Sequence, residues 1–127
     1  MTTRDLTSNI DVISSIDPDD YTATATGATV DLRGFESAVV AFLVGTVTDG
    51  THTPSVEDSP DGSAWTAVAA ADLTGALVDL VDDTNQRVGY RGAERYVRAK
   101  LTVAGATTGV QAAAVVVRGH AAQRPVD

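Results

Sequence analysis

No cysteine occurs in this 127-residue chain. Disulfides, thiol catalysis, iron–sulfur clusters and thiolate zinc sites are thereby excluded together. Imidazole is nearly as scarce. His52 and His120 stand 68 positions apart and make no recognisable metal motif, so both are expected to be surface histidines, His52 in a hairpin loop and His120 near the C-terminus. Aromatic residues make up only 5% of the chain, which leaves few large side-chain anchors. Long apolar runs are missing too. The longest, Ala38 to Val44, has seven residues, against the roughly 20 that a membrane helix needs. The N-terminus, MTTRDLTSNID, lacks the apolar core of a signal peptide. The expectation is a soluble protein without a secretory or transmembrane segment. Basic residues are outnumbered, 9 Lys and Arg against 17 Asp and Glu, for a net charge of −8. An acidic chain repels phosphate, so neither nucleic acid nor a membrane is an expected partner. Neither a G-x-S-x-G elbow nor a phosphate-binding glycine loop is present. No enzyme activity, cofactor or metal is expected.

What is abundant is small and β-branched. Eighteen Val, 17 Thr and three Ile make 38 residues that lose χ1 freedom in a helix and pack well on a pleated surface. Strand-like stretches recur at short intervals. Ile10–Ile16 stops at the turn signal Asp17-Pro18-Asp19-Asp20. Tyr21–Thr26 alternates Tyr or Thr with Ala, and Ala28–Arg33 follows Gly27. Glu36–Val47 is the most apolar stretch and reads as a central strand buried on both faces. Asp49-Gly50 closes it with a hairpin signal. A second Asp-Gly pair, Asp61-Gly62, joins Pro54–Asp58 to Ala64–Val68. Ala69–Leu80 is the one place for a helical turn, with Asp72 to cap it and Gly75 to end it. Arg87–Tyr90, Glu94–Val103 and Val110–Arg118 complete the set. About eight short strands predict an all-β domain, a β-sandwich or a jelly-roll-like barrel. Residues 10–118 form that single domain, between a flexible N-terminal arm (1–9) and a flexible C-terminal tail (119–127).

Acidic pairs invite a calcium reading at Asp17, Asp19 and Asp20, at Glu57, Asp58 and Asp61, and at Asp82 and Asp83. None has the alternating spacing of a calcium loop. Charge is divided along the chain. Residues 1–85 carry 15 acids against Arg4 and Arg33, and residues 86–127 carry seven of the nine bases against Glu94 and Asp127. Two readings follow. Basic strands neutralise acidic ones within one domain, or the basic part of one copy meets the acidic part of a neighbour.

Two stretches, VEDSPDGSAWTAVAAADLTG (56–75) and QRVGYRGAERYVRAKLTVAGATTGVQAAAVVVRGHAAQRPV (86–126), together resemble small head-region structural proteins of tailed bacteriophages. The resemblance covers 61 of 127 residues and contains no catalytic group. It implies a capsid decoration (cement) protein, made in the host bacterial cytoplasm and placed on the capsid surface of the virion. The implied partners are the major capsid protein and further copies of the chain, with a trimer favoured. The runner-up roles are a head–tail connector or tail ring subunit, and a carbohydrate-binding module of a spike or fibre. Arg91, Arg95 and Arg98 are the first candidates for partner contact, with Arg87 and Tyr90 beside them. Trp65, the only tryptophan, is either a sheet anchor or an interface anchor.

Overall fold

The computed structural model describes residues 5–123, and among these it contains ten strands, two short 3-10 turns and no α-helix. The strands are β1 (Asp11–Tyr21), β2 (Ala25–Thr26), β3 (Val30–Asp31), β4 (Phe35–Val47), β5 (Thr51–Ser59), β6 (Thr66–Ala67), β7 (Leu73–Thr74), β8 (Gln86–Tyr90), β9 (Tyr96–Ala104) and β10 (Val110–Ala121). They build two antiparallel sheets. Sheet A runs β1-β10-β4-β8-β7; sheet B runs β2-β9-β5-β6, with β3 also paired to β9. The predicted β-sandwich is the observed architecture. The last strand runs on to Ala121, three residues beyond the predicted domain end. Of the two predicted arms, residues 1–4 and 124–127 lie outside the described residues.

Val40, Phe42, Val88 and Val116 of sheet A are buried in one core with Val30, Val56, Val97 and Leu101 of sheet B. Strand β9 obeys the period of two expected of a half-buried strand: Val97, Ala99 and Leu101 are buried, while Tyr96, Arg98 and Lys100 are only partly covered. Strand β4 departs from the sequence reading. Its buried residues are Ala38, Val40, Phe42 and Val44, and the intervening Val39, Ala41 and Leu43 face outward. The stretch is therefore fully buried on one face only; on the other face Val39 and Ala41 are half-buried and Leu43 is exposed.

The turn signals also divide into two kinds. Asp61-Gly62 works as predicted: β5 and β6 pair around it, Gly62 has a φ of 81°, and the Asp61 carboxylate accepts N–H bonds from Ser63 and Ala64. Asp17–Asp20 does not end a strand. Strand β1 continues through it with two register shifts against β10, between Ser14 and Ile16 and between Ile16 and Asp19. Such bulges absorb the extra residues and the proline, which an edge strand tolerates. The Tyr21–Thr26 strand is correspondingly split, since β1 ends at Tyr21 and only Ala25–Thr26 pairs with β9.

Asp49-Gly50 joins strands of different sheets, so it is an arch across the sandwich rather than a hairpin. The arch carries His52 inward, to 1% exposure, against the expectation of a surface histidine. Its Nε2–H donates to the Asp49 carbonyl at 2.7 Å, which leaves Nδ1 buried with no partner among the described residues. His120, by contrast, is exposed and bonded to Ser37. The Asp49 carboxylate accepts the backbone N–H groups of Thr107, Thr108 and Gly109. The Gly109 bond, followed by that of Thr108, holds this carboxyl below its ordinary pKa. The predicted helical turn shrinks to Ala70–Asp72. There Asp72 lies within the turn instead of capping it, and the chain continues as β7.

Candidate interaction surface

The outer faces of the two sheets are chemically opposite. On sheet B, β9 directs Tyr96, Arg98 and Lys100 outward, paired in register with Ser59, Glu57 and Ser55 of β5. Arg98 Nε donates to Glu57 at 2.8 Å, and the Arg98 guanidinium lies 4.1 Å from the centre of the Trp65 ring. Lys100 approaches the other Glu57 oxygen at 4.0 Å. The β5–β6 hairpin thus folds Trp65 back over its own sheet. At the end of the strand, Arg95 makes two bonds to Asp31, at 2.8 and 3.0 Å, and its guanidinium lies 4.9 Å from the Tyr96 ring centre. The Arg95 hydrogen bonds are the main reason that the Asp31 carboxyl titrates near 2.

On sheet A the outward residues form rows across neighbouring strands. One row reads Val12, Val117, Val39, Gly89; the next reads Ser14, Val115, Ala41, Arg87; a third pairs Ala113 with Leu43. Val12 is 56% exposed and Leu43 43% exposed. Beyond Leu43 the small residues Ala113 and Gly45 floor an open depression of about 510 Å³, with Pro18 on its rim. Charge borders the face on both sides, and on the β1 side it includes exposed Asp19 and Asp20, which line the same depression. Arg87 stands on β8. On the β1 side, the Asp17 carboxylate accepts the Ser14 hydroxyl at 2.9 Å.

The six partner-contact candidates therefore do not form one patch. Trp65 and Arg98 are engaged with each other on sheet B, and Arg95 is held by Asp31. Tyr90 is buried between the sheets. Its hydroxyl donates to Asp58 at 2.7 Å and accepts the Glu94 N–H at 3.1 Å, while burial raises its pKa. Arg91 is exposed just after β8, and Arg87 lies on the outer face of sheet A. Neither of these two side chains has a hydrogen bond or ion pair among the described residues. Sequence reasoning missed Val12, Leu43, Val115 and Val117, because apolar residues in a β-rich chain read as core. The signal for them was present: β4 and β10 are apolar at both parities, more than a half-buried strand requires.

Among the described residues four ion pairs occur, and each joins a base from residues 86–127 to an acid from residues 1–85: Arg95–Asp31, Arg98–Glu57, Lys100–Glu57 and Arg118–Asp11. This is the first of the two readings of the divided charge, neutralisation within one domain. Among the described residues no group of three or more Asp, Glu or His is placed to hold a metal ion, and no helix is long and apolar enough to cross a membrane.

No protein-family model matches the chain. No curated protein matches it. Among solved structures, a chain in the structure of the infectious bursal disease virus Gx strain is similar in shape. It has a TM-score of 0.48 at 12% identity, over 91% of this chain and 33% of that one. A chain in the crystal structure of the T13 IBDV viral particle has a TM-score of 0.49 at 16% identity, over 87% and 31% of the two chains. This chain spans about a third of the length of the chains it matches.

Proposed function

We propose that this is a structural, non-enzymatic protein of a tailed-phage virion, which binds the outside of the capsid and stabilises it by bridging capsomers. One observation carries the structural role: the outer face of sheet A is apolar on β10 and β4, with Val12 of β1 beside them, and Val12 and Leu43 on it stand exposed to solvent. Leaving such a face in water gains nothing for an isolated domain, whereas burying it on assembly contributes about 25 cal/mol for each Å² of apolar surface removed. The phage setting rests on the resemblance of residues 56–75 and 86–126 to phage head proteins. A protein that binds only the assembled shell adds its binding free energy to that state alone, and the effect is repeated at every equivalent site of the lattice.

The test is the number of copies per particle relative to the major capsid protein, by calibrated mass spectrometry of purified virions. A fixed ratio with hundreds of copies is expected. A dozen copies or fewer would replace this reading by a connector or tail ring, and absence from particles would overturn the virion role.

A further inference from the structure

We propose that the outer face of sheet A is a self-complementary interface, on which a second copy of this chain packs about a two-fold axis running along β4 and β10. The inference assigns the burial of this face to a second copy, so that contact with the shell falls to other surfaces of the dimer, and it rests on the structural role above for its biological setting.

The register supplies the argument. Face-to-face packing about an axis parallel to the strands keeps each residue at its height along the sheet and exchanges left for right. Strand β10 of one copy then lies over β4 of the other, and β1 over β8. In the first row, exposed Val12 meets Gly89, which has no side chain, and Val117 meets Val39. In the second, Val115 meets the smaller Ala41. In the third, exposed Leu43 meets Ala113, whose small side chain helps floor the depression beside it. Large thus faces small in three of the four pairings, the condition for two sheets to interdigitate about 10 Å apart. An isologous contact needs this self-complementarity within one patch.

Charge selects among the geometries. The strand-parallel axis sets Arg87 on β8 over the Ser14–Asp17 edge of the other copy, twice per dimer. A two-fold axis perpendicular to the strands, through the row of Ala41, sets Arg87 against Arg87 and Val115 against Val115. A cyclic trimer brings this face against a different surface of its neighbour, and the outer face of sheet B offers Arg98, Glu57 and Lys100, which do not match an apolar patch. Area is sufficient. Strands β10 and β4 overlap over about twelve residues and β1 and β8 over about five, which at about 4.8 Å between strands presents about 540 Å² a side, or just over about 1,000 Å² in all, the least that a specific interface needs. Such a dimer would bridge at two-fold rather than three-fold positions of a shell.

The experiment is sedimentation equilibrium of the purified full chain over a concentration series, with thermal melts of every variant as the control for folding. The wild type is expected to be a reversible dimer. Leu43→Asp is expected to raise its dissociation constant about a hundredfold or more, because it buries an unpaired carboxylate. Arg87→Glu and Asp17→Lys each set like charges together twice per homodimer and are expected to weaken it about tenfold or more. Mixed in equal amounts, these two variants restore both charge pairs and are expected to form a one-to-one heterodimer within about threefold of wild-type affinity. A wild type that stays monomeric, a trimer, a dimer indifferent to Leu43→Asp, or a mixture that fails to recover would each overturn the proposal. The virion role is judged separately, by copy number. A monomer found at capsid stoichiometry sinks this inference alone, and a dimer absent from particles sinks the virion role alone.

Discussion

The two outer faces of this sandwich are built on strands of different sequence pattern, and they behave oppositely in the structure. Strand β9 alternates charged and apolar residues, and its outward side chains are tied down by Glu57, Asp31 and Trp65 within the same molecule. Strands β4 and β10 are apolar at both parities, and of their outward side chains Val39, Ala41, Val115 and Val117 are half-buried while Leu43 stands exposed. The charged face, which reads at first as the binding face, is the more self-contained of the two. A salt bridge or a stacked guanidinium completes its partners' bonding, whereas exposed Val and Leu can be satisfied only by another surface.

The comparison is sharpest within β4, where Phe42 and Leu43 are neighbours facing opposite ways. Phe42→Ala leaves a cavity between the sheets and is expected to cost about 3–5 kcal/mol in denaturant unfolding. Leu43→Ala removes a side chain already in contact with water, and should cost the monomer less than about 1 kcal/mol. Equal costs would mean that the outer face is covered in the free protein.

On sheet B the expectation reverses. Arg98→Ala removes the bond to Glu57 and the cover over Trp65, and is expected to lower stability by about 1 kcal/mol with no change in oligomeric state. A loss of assembly from Arg98→Ala would move the interface to the other face.

The smallest effect is one of pH. The folded pKa of Asp31, near 2, lies below the unfolded value of about 3.9. The unfolded chain therefore binds more protons between these values, and stability rises with pH across that window. The contribution is complete above the unfolded value and lost as pH drops through the folded one. Asp31→Asn should flatten the part of the acid-unfolding curve between about pH 4 and 2 that belongs to this pair, as read by thermal melts. An unchanged curve would show that the exposed Arg95 bond is screened away.

Much of the fold was legible because its signals were local. Asp61-Gly62 demanded a tight turn and β9 showed its parity, so both were placed correctly. The features that were not legible depend on distant partners. Nothing near Asp17-Pro18-Asp19-Asp20 reveals that β10 will hold this segment in an edge strand by way of bulges. Nothing near Asp49-Gly50 tells a hairpin from an arch between sheets, and that distinction decides whether His52 is exposed or buried. The outward residues of β4 and β10 were missed for a different reason: an outward Val and an inward Val are the same letter, so apolar residues at both parities read as a strand buried on both faces until the pairing register separates them.

Radical footprinting by mass spectrometry, comparing dilute free protein with the protein in assembled particles, tests the contrast between the faces most directly. The account predicts that Val12 and Leu43 are modified in the free protein and protected after assembly, while Trp65 and Tyr96 are modified to the same extent in both. Protection of Trp65 and Tyr96, with Val12 and Leu43 unchanged, would contradict it.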